Sequence, residues 1–255
     1  MFSHIYPGMI GVGILAGFMS GLFGIGGGII VTPLLIILYP LISGQKLSIE
    51  VVTGLSSAQG FFSSLTSYFL HRGKHRPDWG IIKWFALPMA LANFFTSLSA
   101  AYFPESFILF VFGALGLMSL IVTVFCKKPI ELLCQNRSLY LPIVGIFLGV
   151  LCGAVGQGGG FIYLPVLIAM FGLPIKQAIS TSAAIGIIGA SGALFGRING
   201  DLSFLHYTIE LIFGILIGGY FGAGLSNRLT PDRLKLALNI FIFVCSLQLI
   251  LKAFH

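Results

Sequence analysis

The chain has 255 residues, of which 57% are hydrophobic and only 8% are Asp, Glu, Lys or Arg. Soluble domains carry about 25% charge, and a chain of this size has too small an interior to hide so much apolar surface from water. The composition excludes a soluble enzyme and a disordered chain. It also excludes a nucleic-acid-binding domain, because the net charge of +7 is spread thinly along the chain rather than gathered into a patch. With a mean hydropathy of +1.03, the remaining class is a polytopic membrane protein whose solvent is mostly lipid.

Met1 to Pro7 hold no Lys or Arg. The basic region of a cleaved leader is missing there, and the first apolar run is expected to be retained. Apolar runs bounded by charge or turn residues predict ten helical segments. They cover 8–24, 28–42, 48–70, 80–103 and 105–126, then 139–156, 160–173, 176–197, 204–227 and 231–253. A spanning helix needs ~20 residues. The third to fifth segments of each half meet that length, whereas the first two are shorter and flank a glycine cluster. Such a pair is either two thin crossings or a re-entrant hairpin, and segment length favours the hairpin.

The halves repeat. Residues 17–35 align with 149–167 at an offset of 132, with nine of nineteen positions identical. These include Gly24/Gly156, the triplets Gly26-Gly27-Gly28 and Gly158-Gly159-Gly160, and Pro33/Pro165. Further on the offset becomes 127, as in Gly73/Gly200 and Pro104/Pro231. If every segment changes sides, eleven basic residues fall opposite the N-terminus: Arg72, Lys74, Arg76, Lys83, Lys127, Lys128, Arg137, Lys176, Arg228, Arg233 and Lys235. Only Lys46, Arg197 and Lys252 share its side. The positive-inside rule makes the basic side cytoplasmic and both termini extracytoplasmic. Five segments per half is an odd number, so the repeats are inverted, an arrangement found in secondary transporters. The expected fold class is all-α: one transmembrane helical bundle built from inverted repeats at 1–130 and 131–255.

The glycine clusters carry the strongest functional signal. Gly24, Gly26, Gly27 and Gly28, like Gly156, Gly158, Gly159 and Gly160, leave the backbone free to bend and to present N–H groups. Each cluster precedes a helical run, where unpaired donors and positive partial charge suit an anion. Close packing or a simple turn is the structural alternative. Position 29 is Ile and position 161 is Phe, so neither cluster is a dinucleotide fingerprint. Pro33 and Pro165 each remove a helical donor, which frees a carbonyl for coordination or merely kinks the helix. Before each cluster, Gly13-x3-Gly17-x3-Gly21 and Gly145-x3-Gly149-x3-Gly153 form small-residue ridges that favour close helix packing.

The third segment lines up Thr53, Ser56, Ser57, Gly60, Ser63, Ser64 and Ser67 on one face. The eighth has a drier face of Ser180, Ala183, Ala184, Ile187, Ala190, Ser191 and Leu194, with Thr181 and Ser182 near its start. Both faces should look inward rather than at lipid. Ser56, Ser57, Gln157, Thr181 and Ser182 are candidates to hydrogen-bond a substrate, unless they serve packing and their own backbones. His206 and Glu210, four residues apart, form a candidate proton-handling pair or an interfacial salt bridge. Asn93, Thr96, Ser97, Asn239 and Gln248 want polar partners. The four cysteines lack metal or disulfide spacing and are expected to be free thiols. No catalytic motif is present.

Two copies of G-x-G-G-G-x4-P, half a chain apart, resemble the TauE/SafE family of sulfite-exporter-like membrane proteins. In that family each copy is followed by a Thr-Ser pair, an aromatic residue and a glycine. The second half matches with Gly156 to Pro165, Thr181-Ser182, Phe195 and Gly200. The first has Gly24 to Pro33, Tyr68 and Gly73, but Gly54-Leu55 at the Thr-Ser register. The resemblance implies a cytoplasmic-membrane transporter of sulfite, sulfonates or related organosulfur anions. The expected function is therefore secondary transport, the export of a small anion by alternating access, with the anion held at the glycine breaks. A passive anion channel and a non-transport membrane subunit are the alternatives. The expected partners are the lipid bilayer, the anion and a coupling ion, H+ or Na+. No cofactor, metal or nucleic acid is expected.

Overall fold

A computed structural model describes residues 7–23, 28–71, 76–125, 137–156, 160–198, 203–226 and 231–254. The first half forms α1 (Pro7–Phe23), α2 (Gly28–Pro33), a π-helical turn (Leu34–Leu38), α3 (Tyr39–Ser43), α4 (Ile49–His71), α5 (Trp79–Leu98) and α6 (Glu105–Phe125). The second forms α7 (Arg137–Val155), α8 (Gly160–Ala169), α9 (Ile175–Arg197), α10 (Phe204–Ser226) and α11 (Pro231–Ala253). No strand occurs among the described residues, so the all-α bundle is as expected.

Among the described residues, five stretches are long and apolar enough to cross a membrane: Trp79–Leu98, Glu105–Val124, Ser138–Val155, Lys176–Arg197 and Phe204–Gly222. One of them corrects the sequence reading. The segment opening the second half was expected to be short, yet α7 is a 19-residue helix. It begins two residues earlier, at Arg137, and continues to the turn at Gly156 with Pro142 near its start. Length alone therefore no longer makes α7 half of a hairpin.

The opposite happens to α4. It has 23 residues but is not among the apolar spans, because hydroxyls and Gln59 fill its inner face. Residues 51–60 are all buried. The solvent of this helix is protein, which satisfies what lipid would not. Its counterpart α9 is also central: 61% of its spanning window is buried, against 28% for α10.

The two prolines act differently. After Pro33 the helix widens into the π turn Leu34–Leu38 before returning to α-helix. Proline has no N–H and its ring crowds the carbonyl four residues back, so a local change of pitch is a natural relief. Around Pro165, α8 stays α-helical. The carbonyl deprived of its donor there is that of Phe161, and Ser119 Oγ of α6 donates to it at 3.3 Å. The freed oxygen is thus consumed by a neighbouring helix.

Packing follows a symmetric scheme. α1 lies along α10 and α7 lies along α5, so the first segment of each half packs on the fourth of the other. α4 packs on α9, and α6 on α11. Exchanging the halves leaves this set of pairings unchanged, which is compatible with repeats related by a pseudo-twofold axis. The glycine ridges make the cross-repeat seams. A Cβ built on Gly13 would lie 2.6 Å from the Leu211 carbonyl, and one on Gly17 would run into Ile215. Cβ atoms on Gly145, Gly149 and Gly153 would stand 2.6, 2.5 and 2.8 Å from the carbonyls of Phe85, Met89 and Asn93. These ridges are packing devices, as their spacing indicated.

Candidate substrate site

The glycine breaks are partly visible. Gly24, Gly26, Gly27, Gln157, Gly158 and Gly159 lie outside the described residues. Gly28 opens α2, Gly160 opens α8, and Gly156 ends α7. Gly156 has φ +69 and its N–H reaches the Gly153 carbonyl at 3.1 Å. This left-handed turn is seated on α4: a Cβ at Gly156 would strike the Thr53 carbonyl and come within 2.8 Å of Thr53 Cβ. Ser57 Oγ then donates to the Gly156 carbonyl at 2.6 Å. It also lies 2.9 Å from the carbonyl of Thr53, its own helix.

At the adjoining position of α4, Ser56 Oγ meets Thr32 Oγ1 of α2 at 2.6 Å, with both side chains buried. One hydroxyl proton is used between the two oxygens. The other is left to donate elsewhere. Thr32 was not singled out from sequence, because its significance depends on α2 packing against α4. Thr32→Val and Ser56→Ala are each expected to cost about 1 kcal/mol of stability, and the double variant less than their sum. Detergent-unfolding curves of the four proteins check this.

In α9 the hydroxyls have protein partners. Thr181 Oγ1 accepts from the Asp78 N–H at 3.0 Å, and Asp78 Oδ1 caps α5 by accepting from Ile81 N–H at 3.1 Å. Ser182 Oγ donates back to the Ile179 carbonyl at 3.0 Å. The first half explains its own departure from the Thr-Ser pattern. At Gly54, the repeat position of Thr181, the ring of Phe204 from α10 lies where a side chain would go, 2.7 Å from a constructed Cβ. A hydrogen bond to the start of α5 in one half is replaced by aromatic packing from the start of α10 in the other. Two polar residues noted from sequence find backbone partners. Asn93 Nδ2 donates to the Gly189 carbonyl at 2.9 Å, and Ser97 Oγ to that of Ala193 at 2.8 Å. Both tie α5 to α9.

His206 is exposed and Glu210 half-buried on α10. Lys83 is exposed, with Nζ 5.9 Å from the Trp84 ring centroid. Cys152 and Cys245 are buried free thiols, whereas Cys126 and Cys134 lie outside the described residues. The predicted segment 176–197 ends on Arg197 and so does α9, but the side chain is buried there, only 7% exposed, which the sequence reading did not state. The signal was available: the inward stripe through Ala190 and Leu194, continued by one helical step, ends on Arg197.

The assembled site is a pair of polar, buried helices, α4 and α9, with the turn after α7 docked on α4 and α2 hydrogen-bonded to it. Short helices α2 and α8 open at Gly28 and Gly160, where first-turn N–H groups have no intrahelical partner. The chemistry on offer is binding by backbone dipoles and hydroxyls.

Similarity to known proteins agrees with that architecture. The chain is 28% identical to a probable membrane transporter protein of Haemophilus influenzae, over 94% of this chain and 96% of the relative. It is 24% identical to one of Methanocaldococcus jannaschii, over 98% and 97%. It is 26% identical to YjnA, a probable membrane transporter protein of Bacillus subtilis, over 94% and 97%. No solved structure matches. The model of the sulfite exporter TauE/SafE family matches residues 9–249, and the chain belongs to that family.

Proposed function

We propose that this membrane transporter is a secondary exporter of a small anion, sulfite or an organosulfonate, in the cytoplasmic membrane. The observation that carries the reading is the docking of the Gly156 turn onto the buried hydroxyl face of α4, through Ser57. It supports a reading in which the glycine break after α7 and the hydroxyl groups of α4 share one site. Gly24, Gly26–Gly28 and Gly156–Gly160 supply backbone donors. Ser56, Ser57, Gln157, Thr181 and Ser182 add polar contacts, and Pro33 and Pro165 set the course of the short helices. Inverted repeats at 1–130 and 131–255, with both termini extracytoplasmic, allow alternating access by movement of one unit against the other. His206 and Glu210 are the candidate proton couplers, with H+ or Na+ as the driving ion.

Sulfite and sulfoacetate flux into proteoliposomes tests this directly. The expected result is flux that accelerates with an imposed ion gradient. Flux indifferent to every gradient would indicate a passive channel, and no flux of either anion would overturn the proposal.

A further inference from the structure

Arg197 is a cation in the bundle interior. Its Nη2 donates to the Ala154 carbonyl at 3.2 Å, its Nε has no partner among the described residues, and Glu50 acts on it electrostatically. A guanidinium offers five N–H donors in a rigid fork. Burying such a group with donors unused is costly, and native proteins seldom tolerate it without a purpose.

Its position is specific. Ala154 lies two residues before the left-handed turn at Gly156, so the guanidinium stands where α7 ends. Glu50 is half-buried one turn before Thr53, on which that turn rests. Gly196 brings the end of α9 close to α5: a Cβ there would meet the Phe94 carbonyl at 2.6 Å. The arrangement is also one-sided. The repeat position of Arg197 is Leu70 and that of Glu50 is Gln177.

We infer that Arg197, together with the start of α8, forms an oxyanion subsite at one end of the transport path. It takes sulfite or the sulfonate head of a larger anion on the guanidinium fork. Two features point to an anion: an unsatisfied buried donor, and a ten-residue helix whose positive end begins just past the turn. Glu50 is the competing counter-ion. It steadies the guanidinium when the subsite is empty and keeps binding weak enough for release. The inference rests on the anion-transport reading and adds a charged, asymmetric element to it.

The test uses the full-length protein with sodium sulfite and sodium sulfoacetate as probes and chloride as control. Thermal shift in detergent gives the apparent Kd, and flux into proteoliposomes gives KM. Arg197→Gln is expected to raise both by about 30-fold or more. Arg197→Lys should lose less, since it keeps the charge but not the fork, and Glu50→Gln should tighten binding. A merely structural arginine would shift Tm without anion yet leave Kd unmoved. Should Arg197→Gln fold poorly, the Glu50→Gln/Arg197→Gln pair removes both charges and must still bind weakly. Wild-type Kd and KM in either variant would overturn the subsite and leave the transport function standing. Absence of any anion effect on the wild type would overturn both.

Discussion

Gly218→Val is expected to leave little folded protein. The seam between α1 and α10 is backbone on backbone. A Cβ at Gly218 runs into the Ile14 carbonyl and one at Gly222 into that of Phe18, while at Gly214 it would stand 2.5 Å from the Ile10 carbonyl. Gly13 and Gly17 answer from α1. Flexible side chains can move aside, but a helix backbone cannot, so the helices must separate along the whole seam. In lipid no hydrophobic force holds them together, and van der Waals packing is the main attraction lost. Overpacking of this kind costs ~3 kcal/mol or more, against a total stability of about 5–15 kcal/mol. Gly224 is on the same helix with nothing within 4 Å of a constructed Cβ, so Gly224→Ala is the control. Size-exclusion profiles and Tm of the two variants check the prediction. A monodisperse Gly218→Val with wild-type Tm would show that the seam is looser than described.

Gly156→Ala is expected to have the second-largest effect. The residue is held at φ +69, where a side chain costs about 1–2 kcal/mol. The added methyl also meets Thr53, at its carbonyl and at Cβ. The turn must lift off α4, and the Ser57 bond to the Gly156 carbonyl goes with it. Ser57→Ala removes that bond without moving the backbone and should cost only about 1 kcal/mol. Gly156→Ala should therefore lose about 3 kcal/mol and most of its flux, and Ser57→Ala far less of both. Thermal unfolding and proteoliposome flux on the pair separate the steric effect from the hydrogen bond. Equal behaviour of the two variants would contradict it.

Much of the fold is legible in local pattern. Apolar runs located the helices, and the G-x3-G ridges announced close seams. The hydroxyl stripe of α4 indicated an inward face, and residues 51–60 are indeed buried. Each of these signals repeats along one helix, so it survives in one dimension. What was missed depends on which helices meet. Ser119 looks like any hydroxyl in an apolar helix until α6 packs on α8 and Pro165 leaves the Phe161 carbonyl without a donor. Thr32 gains meaning only beside Ser56. The missing Thr-Ser pair in the first half reads as a defect until Phe204 is seen over Gly54. The burial of Arg197 was missed because a charge at a helix end normally faces solvent. Here the end of the helix is itself enclosed by α5 and α7.

That last point alters the electrostatics expected of the site. Scarcity of charge suggested an anion held by backbone dipoles and hydroxyls alone. A buried guanidinium beside the Gly156 turn adds a fixed positive charge to the second half, while the glycines remain the feature shared by both halves.

The most direct test of the central claim is anion flux through proteoliposomes holding wild type, Gly27→Val or Gly159→Val. These two glycines are repeat partners at the middle of each triplet. With all three proteins monodisperse, the account predicts gradient-driven sulfite or sulfoacetate flux in the wild type. It predicts a loss of about tenfold or more in each variant, the loss of one ~1.4 kcal/mol interaction. Equal flux from the three proteins would contradict the placement of the anion at the glycine breaks.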